Sequence, residues 1–95
     1  MTVEELRAEL ETLISSLTSS GFENLDSGVM EKMEKYLATA GDLGMNEGKR
    51  LIENLLGAIK SINEGKSKAE SANVRLTALD FYLKNLSGSE HIEDL

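Results

Sequence analysis

The chain has no cysteine and no proline. Without thiols it can form no disulfide, no thiolate metal site and no cysteine nucleophile, and the absence fits a reducing compartment. Without proline, nothing in the backbone forces a helix to break. Histidine occurs once, as His91 in the last five residues, where a general base would lack the fixed position that proton transfer needs. Aromatic residues are 4% of the chain, so its basic side chains lack the aromatic interleaving of a nucleic-acid footprint. No apolar run approaches the ~18 residues of a membrane span, and the opening TVEELRAEL is not the basic-then-apolar start of a signal peptide. These absences lead us to expect a soluble, cytoplasmic protein that is not an enzyme and uses no cofactor, no metal, no nucleic acid and no membrane.

Ninety-five residues, 40% hydrophobic and 28% charged, make one domain, because a chain of this size buries roughly 60 to 65% of its unfolded surface and cannot divide that between two cores. The net charge is −7, and it is unevenly placed. Residues 1–42 hold nine acids and three bases, residues 43–86 five acids and seven bases, and residues 87–95 three acids. An acidic first half opposes phosphate binding and suits a partner protein with a basic surface.

The densest apolar pattern runs from Asn46 to Ile62. At about 100° per residue, Leu51, Ile52, Leu55, Leu56, Ala58, Ile59 and Ile62 fill an arc of roughly 160° with Gly48 near its middle, which suits a helix packed between two neighbours. Gly57 projects on the opposite face, among Arg50, Glu53, Asn54 and Ser61. Thr2 and Glu5 stand at capping-box spacing, and Val3, Leu6, Leu10, Leu13 and Leu17 then recur every three or four residues, a heptad seam. After Phe22 in a short connector, Val29, Met30, Met33, Tyr36, Leu37 and Ala40 return the stripe, with Gly41 as the residue type that ends a helix in the left-handed conformation. Asn46 caps the third helix, Gly65 stops it, and Ser67 with Glu70 repeats the capping-box spacing before Ala69, Ala72, Leu76, Leu79, Leu83 and Leu86; Gly88 is the expected stop.

The spacing predicts four helices, about 2–18, 26–40, 46–64 and 68–86, in one helical domain of residues 1–86, followed by a flexible acidic tail, 87–95. Short connections turn consecutive helices back on each other, and near-heptad seams favour shallow crossing angles. The expected fold is an all-α, antiparallel up-down-up-down four-helix bundle. The alternative is a pair of helical hairpins that completes a bundle only as a homodimer.

Opposite the core seam of the fourth helix sit Val74, Ala78 and Phe81, a second apolar stripe where a bundle helix should be wet, and exposed stripes of this kind mark contact surfaces. The same pattern would arise if that helix were central in the packing, or if Phe22 folded over it. Gly57 on a polar helix face costs about 1 kcal/mol relative to Ala, as a close approach of a partner to Asn54 and Gly57 would explain. A stable bundle can also carry such a glycine without a reason. Met30, Met33 and Met45 suit either an adaptable groove or core filling. Lys60, Lys66, Lys68 and Arg75 gather around the last turn and read as a solvated rim. Glu90, His91, Glu93 and Asp94 lack the rigid scaffold a metal site needs.

Asp26-Ser27 at a helix start resembles the Asp-Ser pair on which acyl carrier proteins attach phosphopantetheine. Gly28 and Val29 follow where that family usually has Leu. The resemblance covers two residues and implies Ser27 as the attachment point of a covalent cargo. The functional expectation is therefore a small interaction protein of the adaptor, chaperone-like, immunity-like or regulatory kind, binding through Val74, Ala78 and Phe81 with Asn54 and Gly57 as a second patch. A carrier loaded at Ser27 is the alternative.

Overall fold

The computed structural model describes residues 1–22 and 27–93, with Ser27 and residues 87–93 described by their backbone alone. The chain forms four helices, α1 (Val3–Ser20), α2 (Ser27–Asp42), α3 (Asn46–Asn63) and α4 (Ala69–Glu93), and no strand occurs among the described residues. Each helix packs against its two neighbours in a closed ring, α1 on α2, α2 on α3, α3 on α4 and α4 back on α1. Between α2 and α3, and between α3 and α4, partner numbers run in opposite senses. Gly41 faces Lys49 and Glu34 reaches Lys60 between α2 and α3, and Tyr82 of α4 returns to Gly48 at the far end of α3. These contacts are consistent with the up-down-up-down order that short connections favour in a four-helix bundle.

The helix starts and stops have local causes. Thr2 caps α1 in a full capping box: its hydroxyl accepts from the Glu5 backbone N–H at 3.1 Å, and the Thr2 N–H donates to the Glu5 carboxylate at 3.1 Å. α2 and α3 end in the same motif. Met45 N–H donates to the Ala40 carbonyl at 2.9 Å and Gly44 N–H to Gly41 at 3.1 Å; Lys66 N–H donates to Ser61 at 2.8 Å and Gly65 N–H to Ile62 at 3.0 Å. In each case the glycine takes a positive φ, 75° at Gly44 and 76° at Gly65, and satisfies carbonyls that the helix leaves open. The left-handed residue after α2 is thus Gly44 and not Gly41, which is helical. α3 is entered from Met45, which has no side-chain cap, so Asn46 is the first helical residue and not the cap. Burial of the Met45 side chain in the core explains why an apolar residue holds the position, while its backbone N–H closes the preceding motif. α4 begins at Ala69, which is exposed rather than part of the seam, and continues through Gly88 to Glu93. A glycine inside a helix costs about 1 kcal/mol but does not by itself end one.

The core is one cluster drawn from all four helices. Leu6, Leu10, Leu17, Ile52, Leu55, Ile59, Leu79 and Leu83 are essentially inaccessible, joined by Met33, Tyr36, Ala40 and Ala72. Phe22 is also buried in it, so the start of the first connector closes one end of the bundle. Met33 and Met45 are buried and Met30 packs at the edge, so the methionines fill the core. No polar or charged residue is buried among the described residues, and polar links between helices lie at the rim. The Tyr36 hydroxyl donates to Glu9 Oε1 at 3.1 Å, joining α2 to α1, and Lys60 stands 3.7 Å from Glu34, joining α3 to α2.

Candidate functional site

A bundle whose ring is closed leaves each helix an outer face, and three of the four are polar. α4 differs because its apolar residues lie on both sides. Ala72, Leu76, Leu79 and Leu83 turn inward and are buried, while Val74, Ala78 and Phe81 turn outward. Apart from Met1, Val74 and Phe81 are the large apolar side chains exposed among the described residues, at 64% and 67%. They are seven residues apart, two helical turns, with Ala78 between them on the same stripe. Phe22 lies in the core and does not fold over them, and α4 is not central, since it touches α1 and α3 alone. The stripe is therefore uncovered among the described residues.

Asn54 and Gly57 lie on α3, the helix beside α4. Asn54 is half-buried and Gly57 exposed, and a Cβ built on Gly57 meets nothing within 4 Å. No part of the bundle presses on that glycine. Contact between Gly48 and Tyr82 fixes the register of α3 against α4. Stepping along both helices from that contact puts Asn54 at the level of Leu76 and Gly57 at that of Asn73, next to Val74. The two patches belong to one side-by-side pair of helices, with the apolar stripe on α4 and the glycine on α3.

The α4 stripe is bordered by balanced charge. Lys84 pairs with Asp80 at 3.0 Å on the same helix, and Glu70 and Arg75 are exposed. Beside it, between α4 and α1, lies an open groove of ≈ 410 Å³ lined by Ile14, Ser15, Thr18, Ser19, Leu76, Thr77 and Asp80. Short hydroxyl side chains on α1 leave this groove unfilled. The outer face of α1 carries the acids. Arg7 bridges Glu4 at 3.5 Å and Glu11 at 2.7 Å, while the Thr2 backbone N–H, and then its hydroxyl, hold the Glu5 carboxyl below its ordinary value.

One close packing was invisible in the sequence. The hydroxyl end of the Tyr82 ring packs against Gly48 of α3, and a Cβ there would stand 3.1 Å from Cε2 and 3.2 Å from the hydroxyl oxygen. Burial pushes the Tyr82 phenol above its ordinary value, the Gly48 backbone amide pulls it back, and the Glu47 charge adds to the rise. Gly48 in the middle of the apolar arc was the available signal: a gap at the centre of a packing face is a slot for a neighbour's ring.

Asp26 lies outside the described residues, as does the Ser27 side chain; Ser27 itself is the first residue of α2. Of the acidic cluster around His91, Glu90, His91 and Glu93 are described by their backbone only and Asp94 lies outside the described residues; among the described residues no group of three or more His, Cys, Asp or Glu side chains comes together to hold a metal. No helix among them is long and apolar enough to cross a membrane. Lys60, Lys66, Lys68 and Arg75 are all exposed, with Lys66 3.5 Å from Glu64, and they form no concave site. In comparisons with models of known protein families, with curated proteins and with solved structures, the chain matches none.

Proposed function

We propose that this is a small interaction protein of the adaptor, chaperone-like, immunity-like or regulatory kind, which acts in the cytoplasm by covering a surface on another protein. The observation that carries this reading is the selective exposure of Val74 and Phe81. Among the described residues, Met1 aside, every other large apolar side chain is buried or partly buried, and these two, two turns apart, are left on one face. An uncovered aromatic and aliphatic pair flanked by polar residues is the pattern of an anchor that enters a partner's pocket or groove. Asn54 and Gly57 extend the surface onto α3, where the missing side chain at Gly57 lets a partner come close to the backbone. The acidic outer face of α1 steers the approach of a basic partner and contributes more to the rate of encounter than to its strength. Catalysis and a bound cofactor have no part in this mechanism.

The test is site-specific photocrosslinking in the source cells, with a benzoyl-phenylalanine in place of Phe81 and, as a control, in place of Lys35 on the outer face of α2. A protein captured from position 81 but not from position 35, and lost when Val74→Asp is added, supports the reading. Identical capture from both positions, or none from either, removes it.

A further inference from the structure

The outer stripe of α4 is complementary to itself. Glu70, Val74, Ala78, Phe81 and Lys84 follow one another at spacings of four, four, three and three, so they fall within an arc of about 120°. In order they read acid, apolar, small, apolar, base. When two such stripes meet with their helices running in opposite directions and cross near Ala78, each Val74 faces Phe81 of the other copy. The two Ala78 residues then flank the twofold axis, where small side chains allow close approach, and each Glu70 faces a Lys84. Parallel alignment instead sets Glu70 on Glu70 and Lys84 on Lys84. A twofold interface places one patch against itself, and this patch suits the antiparallel arrangement only.

Charge disfavours α1 as the self-docking face and is compatible with α4. The chain carries −7, and the outer surface of α1 holds Glu4, Glu5, Glu9 and Glu11 against Arg7 alone, whereas residues 69–86 of α4 carry Glu70 and Asp80 against Arg75 and Lys84 and are neutral. Two copies meeting through α1 repel; two meeting through α4 do not. Lys84 is already held at the edge of the stripe by Asp80 at 3.0 Å, and Glu70 is exposed and takes part in no ion pair among the described residues.

We infer that the outer face of α4 is a self-association surface on which a second copy of this chain docks antiparallel, Val74 against Phe81 and Glu70 against Lys84. The inference rests on the reading of the stripe as a contact face and names its first occupant. The acidic faces of α1 then point outward on the assembled particle, free to meet a basic protein. A single helix-to-helix contact falls short of the ~800 Å² per partner of a standard interface, so the dimer dissociates in about the 1–100 µM range.

Sedimentation equilibrium of the full chain from low micromolar to millimolar concentration tests this, using the native protein, Phe81→Asp, Glu70→Lys, Lys84→Glu and the double charge exchange. We expect a native monomer–dimer equilibrium and a monomer for Phe81→Asp with unchanged helicity. Each single exchange should raise the dissociation constant about tenfold, because it sets like charges opposite each other, and the double exchange should restore it. The charge variants are exposed and retain the fold, so the pattern can be read even if Phe81→Asp does not fold. A native chain that stays monomeric throughout overturns the second copy as occupant, while capture from position 81 still decides whether another protein uses the face. A dimer indifferent to both single exchanges, or one not restored by the double, also overturns the proposal.

Discussion

Gly48 and Gly57 lie on the same helix, and Ala in place of each should change stability in opposite directions. Both are helical, so each substitution gains about 1 kcal/mol in intrinsic propensity. At Gly57 the new methyl group meets nothing within 4 Å, and that gain is the whole effect. Gly57→Ala should stabilise the bundle by about 0.5–1 kcal/mol and raise Tm by about 3–6 °C. At Gly48 the methyl carbon would sit 3.1 Å from Tyr82 Cε2, 3.2 Å from its oxygen and 3.4 Å from Cζ. The ring must retreat, and overpacking of this kind costs about 1–3 kcal/mol. The propensity gain offsets part of that, leaving a net loss of about 1 kcal/mol. Urea unfolding followed by circular dichroism measures both. In a Tyr82→Ala background the conflict is gone, so Gly48→Ala should become stabilising, and the difference between backgrounds isolates the contact. If Gly48→Ala stabilises the native protein as much as Gly57→Ala does, the ring does not press on α3 and the register derived from that contact is wrong.

Substitutions in three other places probe further parts of the account. Thr2→Ala removes the α1 cap and should cost about 1 kcal/mol by urea unfolding. Because the capping box holds the Glu5 carboxyl below its ordinary 4.5, its contribution is present above that value and disappears as pH falls through the lower folded one; the stability gap between native protein and Glu5→Ala should close over that acidic window. Tyr36→Phe removes the hydroxyl that reaches Glu9 across α1 and α2 and should cost about 0.5–1.5 kcal/mol. Burial, and then the Glu9 bond and charge, raise the Tyr36 phenol above 10.0, so its contribution is complete below pH 10.0 and is lost as pH rises through the folded value, a loss absent from Tyr36→Phe. Finally, Phe81→Ser and Leu79→Ser, two residues apart on α4, should differ sharply at dilutions where the chain is monomeric. The first should stay within about 0.5 kcal/mol of native and the second lose more than about 2 kcal/mol; equal losses would mean that the outer stripe is core.

The bundle was legible in the sequence because its seams are strong. Leu6, Leu10, Leu13 and Leu17, then Ile52, Leu55, Ile59 and Ile62, repeat at helical spacing, and every one is buried. Helix ends were less legible, because a glycine is only permission for a left-handed residue. Gly41 and Gly44 are both available near the end of α2, and the deciding factor is that the Met45 N–H reaches back to the Ala40 carbonyl while its side chain is buried in the core. Gly88 shows the converse, a glycine that α4 passes through. The outer stripe was visible as a pattern, but its exposure was not, since a helix with two apolar faces is equally consistent with a central position. What decides it is the ring of contacts, which gives α4 two neighbours and leaves Val74 and Phe81 outside. The slot at Gly48 needed a partner on another helix, and single-helix periodicity carries no information about which ring enters it.

A chain with no native cysteine permits a direct test of the central claim that a second copy docks on this outer face of α4. Ala78→Cys introduces one thiol at the middle of the stripe, and Glu31→Cys introduces one on the exposed face of α2. Disulfide formation is followed at a concentration of about 100 µM, where the expected dimer is populated. The account expects Ala78→Cys to cross-link at least about tenfold faster than Glu31→Cys, with the advantage lost on dilution or when Phe81→Asp is added, because residues flanking a twofold axis are held within disulfide reach. Equal rates for the two thiols at every concentration would contradict it.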